Sequence, residues 1–276
     1  MKQIFRGNFQ AFCEAFALLR YNKRLSIELA RREILDRYSG QIIGPIWALA
    51  HPLFMMGLYV FIFTVVFKIK IQNSIEMPLD YTTYLLSGLV AWIGCQEAMS
   101  KACTAITSNS SLVTQVTFPI EILAVKGVVA SLFPQTVSLL FLIIYVIWTN
   151  GFPPITYLLL PILLVIQLLF MIGISLFLSI TGSFFRDTKD FVQLVSIAGL
   201  YMLPVFYLPQ WVPAIFKPII YLNPFSYLIW CFQDVLYFGR IEHPWAWFVT
   251  SILSIIFFIM GYRLFRKVKP FLGNVL

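Results

Sequence analysis

The sequence has few charged side chains for its length. Of its 276 residues, 12% are charged and 60% are hydrophobic, whereas soluble domains average about 25% charged residues. No charged residue at all occurs in the 59 positions from Gly127 to Phe185. A span of the bilayer core needs about 20 apolar residues. This run therefore predicts a membrane hairpin, with spans near 127–148 and 156–181 and a turn at 150–156.

The sequence also lacks the motifs of common catalytic and metal sites. It contains no P-loop, GxGxxG, HExxH or GxSxG pattern, and these patterns support nucleotide, zinc and serine chemistry. Its two histidines, His51 and His243, are too few for a His-rich metal site, and its four cysteines have no CxxC spacing. We therefore expect no catalytic residue, metal site or cofactor in this chain. No sizeable basic patch lies outside the apolar segments, so we expect no nucleic-acid partner.

Apolar segments outside the hairpin predict four more spans. They lie near 42–67, 84–105, 191–207 and 244–262. Residues 208–243 are apolar and aromatic but broken by prolines, which is typical of re-entrant or interfacial helices. The predicted fold is an all-α integral membrane protein with six transmembrane helices and short outer-mouth helices before the last span. Its six-span transmembrane domain would cover 41–265, followed by a cytoplasmic tail at 266–276.

Residues 1–40 predict an amphipathic helical region rather than a span. Apolar side chains recur there at helical spacing, and arginines flank a second stripe. A basic helix with an apolar stripe lies in the membrane interface. A solvated helix packed on another subunit is the alternative. The first stripe consists of Phe5, Phe9, Phe12, Phe16 and Leu19, and the second of Ile27, Ala30, Ile34 and Tyr38.

The distribution of Lys and Arg predicts the topology. If both termini are cytoplasmic, the cytoplasmic segments carry 16 Lys and Arg residues and the outer loops carry four. Short loops with excess positive charge stay in the cytoplasm. We therefore expect a multi-pass membrane protein with both termini in the cytoplasm.

Two groups of side chains could line a transport path. Glu97 and Lys101 are four residues apart in the second predicted span, where ionisable groups are costly and usually functional. A self-neutralising pair near a helix end could equally be structural. Flat aromatic faces could stack on sugar rings, or simply pack against lipid and neighbouring helices. The candidate channel-lining residues are Trp47, Phe54, Tyr59, Phe61, Trp92, Glu97 and Tyr201.

Several sequence blocks resemble the membrane subunits of ABC-type polysaccharide exporters, which handle O-antigen, capsule and teichoic acid. The first block runs from Arg32 through Arg37-Tyr-Ser-Gly to His51-Pro-Leu53. The other blocks follow in the same order along residues 30–272. They are Phe118-Pro-Ile-Glu-Ile-Leu123, Phe184-Phe-Arg-Asp-Thr-Lys-Asp190, Pro204-Val-Phe-Tyr207 with Leu222-Asn-Pro-Phe225, and Tyr262-Arg-Leu-Phe-Arg-Lys-Val-Lys-Pro-Phe271. Gly273-Asn274 departs from the family pattern, which more usually has an acidic residue there.

The resemblance implies a homodimer of six-span subunits paired with two copies of a separate ATPase, which binds ATP and Mg²⁺. This chain would form half of a channel for a lipid-linked glycan, in contact with membrane lipids. The polar segment near 106–120 would dock on the ATPase, with the 185–190 turn nearby. The candidate ATPase-coupling residues are Leu112, Val113, Thr114, Gln115, Phe118, Glu121, Arg186 and Asp187.

Two other functions compete with polysaccharide export. The first is an efflux permease for drugs or small lipophilic molecules on the same fold, although such permeases often have larger outer domains. The second is a membrane enzyme that acts on undecaprenyl-linked sugars. That chemistry needs clustered acidic residues or histidines at the membrane face, whereas Glu97, Glu121 and Asp234 are scattered along the chain.

Overall fold

A computed structural model describes residues 2–67, 78–115 and 119–273. Every regular element in these ranges is helical, which confirms the predicted all-α class. The α-helices are α1 (Lys2–Tyr21), α2 (Lys23–Arg37), α3 (Trp47–Phe61), α4 (Tyr81–Thr104), α5 (Ser110–Gln115), α6 (Glu121–Asn150), α7 (Leu160–Phe184), α8 (Thr188–Met202), α9 (Lys217–Leu222), α10 (Pro224–Gln233) and α11 (Pro244–Leu272).

Among the described residues, four helical segments are long and apolar enough to cross a membrane. They are Gly44–Val66, Glu121–Asn150, Ile155–Phe184 and Pro244–Leu272. A fifth arises if Ala214–Leu222 and Pro224–Phe238, which are bent by 88° at the break between them, count as one span. The chain is therefore a multi-pass membrane protein.

The remaining two predicted spans correspond to α4 and α8, which differ from the other four. The 24 residues of α4 include many polar side chains, and every residue from Tyr81 to Trp92 is buried within the protein. Because α4 faces protein, its polar groups need not meet lipid. The 15 residues of α8 span about 22 Å at 1.5 Å per residue, less than the bilayer core of about 30 Å. The six-span count therefore stays a prediction.

The predicted hairpin is confirmed and is longer than expected. α6 begins at Glu121 and ends at Asn150, and a 3₁₀ turn at Ile155–Leu159 leads into α7. Gly151 has φ +87°, a conformation that glycine adopts without steric cost. The hydroxyl of Tyr157 donates a hydrogen bond to the Leu236 carbonyl at 3.0 Å. The turn is therefore attached to the π-helical turn Asp234–Phe238 that follows α10.

Backbones approach very closely where α7 meets α11. A β-carbon added to Gly261 would lie 2.3 Å from the carbonyl oxygen of Gly173. α7 meets α4 in the same way, because a β-carbon on Gly182 would lie 2.0 Å from the Cys103 carbonyl oxygen. Membrane helices pack through small residues of this kind. These contacts hold α7 between α4 and α11.

The predicted fifth span ends early, at Met202. Beyond it the backbone is irregular, and its carbonyl groups are hydrogen-bonded by side chains. The Gln233 side chain donates a hydrogen bond to the Pro204 carbonyl oxygen at 2.8 Å. The Tyr84 hydroxyl donates to the carbonyl oxygens of Pro204 and Tyr207. The Tyr81 hydroxyl donates to the Phe206 carbonyl. Irregular backbone is tolerated at membrane depth when protein satisfies its polar groups in this way.

The proline-rich segment forms short helices, as predicted. Two 3₁₀ turns at Pro209–Trp211 and Ala214–Phe216 precede α9 and α10. At the other end of the chain, α11 continues to Leu272, so the predicted boundary between transmembrane domain and tail at 265 falls inside a helix.

The N-terminal region forms two helices that pack on the body of the protein. Phe12 on α1 contacts Phe258 on α11, with ring centroids 5.6 Å apart, whereas Phe16 is exposed. Ala30 on α2 is buried, and α2 packs against α6. The side chains of Phe5 and Phe9 lie outside the described part of the chain. One edge of the first stripe therefore contacts protein, and its interfacial position stays a prediction.

Candidate transport cavity and coupling region

An open cavity of about 470 Å³ lies between α2, α3, α4, α6 and α8. Its wall combines charged and aromatic side chains. Arg37, Glu97 and Lys101 supply its charges, and Tyr59 and Trp92 are among its aromatic residues. The mixture suits a ligand with both polar and apolar parts.

The candidate channel residues divide into two groups. Tyr59, Trp92 and Glu97 line this cavity together. The other four lie on exposed surfaces outside it. Exposure is 43% for Trp47, 70% for Phe54, 54% for Phe61 and 65% for Tyr201.

Phe206 connects the two groups, although it was not among the candidate channel-lining residues. Its ring centroid lies 5.9 Å from that of Tyr59 and 5.6 Å from that of Tyr201. Phe206 stands in the irregular segment after α8, so periodicity gave no sign of this position. An aromatic surface therefore runs from the cavity wall to the exposed side of α8, and its role in a channel stays a prediction.

The predicted Glu97 and Lys101 pair belongs to a larger network of charges. Glu97 accepts from Arg37 at 2.5 Å and lies 3.4 Å from the Lys101 ammonium. Glu33 lies 3.4 Å from Lys101 and 3.5 Å from Lys126. The network therefore joins α2, α4 and α6. Sequence reasoning missed Glu33, Arg37 and Lys126 as partners because the three helices are far apart in the chain.

The network extends to the predicted ATPase-coupling segment. Lys126 donates to the side chain of Asn109 at 3.2 Å. A second cavity, of about 550 Å³, lies between α2 and this segment, and Leu112 is part of its wall. Val113, Thr114 and Gln115 belong to α5, although the structure does not describe their side chains, and Phe118 lies outside the described residues.

The other candidate coupling residues occupy two different environments. Arg186 and Asp187 are exposed in the turn between α7 and α8. Glu121 is buried, and both of its carboxylate oxygens accept from Lys269, at 2.8 and 2.9 Å. Glu121 therefore ties the start of α6 to the end of α11. A role for it in coupling would act through that ion pair.

Asp234, a buried carboxylate in the π-helical turn after α10, was not among the predicted site residues. Asp234 accepts from the backbone N–H and Nδ1 of His243, at 3.0 and 2.8 Å, and from the indole N–H of Trp247 at 3.0 Å. These bonds attach the turn that follows α10 to the start of α11. Across the described residues, no group of three His, Cys, Asp or Glu side chains could hold a metal ion.

Comparison with known proteins confirms the resemblance seen in the sequence. The ABC-2 type transporter family matches residues 25–237. An O-antigen export system permease protein RfbA from Klebsiella pneumoniae is 24% identical over 261 residues, which cover 91% of this chain and 95% of that protein. A protein of the same name from Myxococcus xanthus is 26% identical over 234 residues, which cover 84% and 87%. With most of its length matched and several membrane-spanning helices, this chain belongs to the ABC-2 type transporter family, as a permease subunit and not an enzyme.

Proposed function

We propose that this chain is the transmembrane subunit of an ATP-driven exporter that moves a lipid-linked polysaccharide, most specifically O-antigen, from the cytoplasm across the inner membrane. The observation that carries this proposal is the similarity to O-antigen export permeases over 84–91% of the chain. The family match at residues 25–237 includes the proline-broken segment before the last span.

In this proposal two copies of the chain form the channel, and each has six spans with both termini in the cytoplasm. Exposed apolar side chains on α3 and α8 are available for contact with a second copy. Phe54 and Phe61 on α3, and Phe191 and Leu194 on α8, are each more than half exposed. These faces would meet a second copy across the path of the glycan, or lipid where no copy covers them.

Two copies of a separate ATPase would bind ATP and Mg²⁺ and drive transport. The arrangement around α5 supports a docking surface on the predicted cytoplasmic side, where Lys and Arg residues are concentrated. The Cys103 thiol near the end of α4 lies 3.9 Å from the Thr188 carbonyl at the start of α8. The Arg186 and Asp187 turn is therefore close to the segment that leads into α5, so one partner could contact both.

Complementation tests the function. A bacterium that has lost its O-antigen export permease would receive this chain together with a partner ATPase from the same genome, and surface polymer would be detected on intact cells. We expect polymer at the surface with both genes, and internal accumulation with either gene alone. If the cells still display no polymer but become resistant to lipophilic drugs, the result would instead support the efflux alternative.

A further inference from the structure

Two cations from different helices converge on one carboxylate oxygen in the first cavity. Oε1 of Glu97 lies 2.5 Å from Nη1 of Arg37 and 3.4 Å from Nζ of Lys101. Arg37 is the last residue of α2, and Lys101 lies one turn after Glu97 on α4. Positive groups arranged around one oxygen provide charge-assisted hydrogen bonds to an oxyanion. Glu97 supplies that oxyanion in this structure.

Both cations keep capacity for a further anion. A guanidinium has five N–H donors, and Arg37 uses one hydrogen-bond acceptor among the described residues, with 53% of its side chain exposed. Lys101 lies 3.4 Å from both Glu97 and Glu33, whereas a strong ammonium–carboxylate bond measures about 2.7–2.9 Å. Glu97 is 22% exposed, so displacing it would leave its carboxylate within reach of water.

Much of the rest of the cavity wall is apolar or aromatic, although Gln96, Ser100 and Gln193 also line it. Pro52, Met55 and Tyr59 of α3 and Trp92 of α4 contribute to it. The indole N–H of Trp92 is buried and has no acceptor among the described residues. The cavity therefore fits an amphipathic ligand, with an anionic group at Arg37 and an apolar body along α3.

We propose that this cavity binds the phosphate headgroup of a lipid, with Arg37 and Lys101 holding phosphate oxygens and Glu97 as the internal anion that the phosphate displaces. The guanidinium fork matches phosphate in a bidentate manner. A phosphate-linked carrier of the exported glycan presents this chemistry, and that assignment rests on the proposed function. A membrane phospholipid presents the same headgroup chemistry, so the test must separate the two sources.

The test measures lipid binding by the purified full-length chain in neutral detergent, by native mass spectrometry. The probes are a polyprenyl diphosphate without sugars, the polyprenol of the same length, and phosphatidic acid. We expect Arg37→Gln and Lys101→Gln to weaken polyprenyl diphosphate binding about tenfold, equivalent to 1.4 kcal/mol. Glu97→Gln should tighten it, because the competing internal anion is gone. Arg240→Gln breaks a comparable surface pair, 2.8 Å from Glu242, and should change nothing.

The opposite signs for Arg37→Gln and Glu97→Gln distinguish a ligand site from a structural ion pair. Opposite shifts with a preference for polyprenyl diphosphate support the carrier lipid as ligand. Opposite shifts with equal binding of phosphatidic acid keep the phosphate site but overturn its link to the exported substrate. If Glu97→Gln weakens binding together with Arg37→Gln, or if every variant behaves like Arg240→Gln, the network is structural and the proposal is wrong.

Melting temperatures measured on the same samples guard against loss of folding. Binding is measured without the ATPase and without transport, so its outcome is independent of the complementation result. A chain that binds the diphosphate as expected but fails to export polymer would refute the proposed function and leave the site standing. A chain that exports polymer but does not bind the diphosphate as expected would refute the binding site alone.

Discussion

Replacing Gly173 with alanine should force α7 and α11 apart. A β-carbon at this position would lie 2.3 Å from the Phe257 carbonyl carbon, 2.4 Å from its oxygen and 2.5 Å from the Phe258 nitrogen. All three atoms belong to the α11 backbone, so no side-chain rotation relieves the overlap. Non-bonded carbon atoms prefer separations of about 3.5–4.0 Å, which requires the helices to move by about 1 Å.

Overpacking of this kind costs about 1–3 kcal/mol. Alanine recovers up to about 1 kcal/mol of helix propensity relative to glycine. We therefore expect Gly173→Ala to destabilise the protein by about 1–2 kcal/mol. The matched control is Gly57→Ala on α3, where an added β-carbon meets nothing within 4 Å. That variant should be neutral or slightly more stable than the wild type.

The assay is the apparent melting temperature of detergent-purified protein, followed by size-exclusion chromatography after heating. A loss of 1 kcal/mol lowers Tm by about 2–4 °C in a domain of 150–250 residues. Gly261→Ala disturbs the same contact, so the double variant with Gly173→Ala should lose less than the sum of the single losses. Equal melting temperatures for Gly173→Ala and Gly57→Ala would refute the close approach of the two helices.

Three further predictions concern coupling, topology and the channel. Leu112→Asp or Val113→Asp should leave the chain in the membrane but abolish pull-down of the ATPase. The reason is that an unpaired charge buried at the contact with the ATPase costs several kcal/mol. An intact complex with full export would show that this segment is not part of the interface. Topology can be tested with an impermeant thiol reagent after the native cysteines are replaced. The reagent should label a cysteine at position 240 from outside, and one at position 187 only after the cells are permeabilised. The opposite labelling would reverse the topology. We also expect labelling from outside at position 73, which lies outside the described residues. Changing Trp47 and Phe54 together to leucine should lower polymer export while Tm and ATPase activity of the complex stay near wild type, and a parallel fall in Tm would assign these side chains to packing.

Elements defined by a simple local property were predicted well from the sequence. The hairpin follows from the absence of charge between Gly127 and Phe185, since an apolar run of this length is typical of membrane spans. The short helices after Pro209 follow from proline, which removes a backbone donor and interrupts longer helices. The end of α8 at Met202 was not predicted, because it depends on tyrosines from α4 that bind the following carbonyl groups.

The candidate site was less predictable because it depends on how helices rotate and meet. Tyr59 and Phe61 are two residues apart, yet one lines the cavity and the other is exposed on α3. Hydropathy does not distinguish such positions when lipid and protein are both apolar surroundings. Glu97 and Lys101 were paired correctly from their spacing, whereas Arg37 precedes Glu97 by 60 residues and its contact depends on the packing of α2.

The side chains that bind the irregular backbone after α8 have a consequence for the order of membrane insertion. Tyr84 precedes its acceptors by 120 and 123 residues, whereas Gln233 follows Pro204 by 29 residues. During synthesis, Tyr81 and Tyr84 are therefore already in the membrane when the 203–207 carbonyls arrive, and Gln233 is still to be made. Early hydrogen bonds to the tyrosines would hold this segment until α10 docks. Phenylalanine at Tyr84 would expose those carbonyls to lipid during that interval, so its main effect would be on the yield of inserted protein.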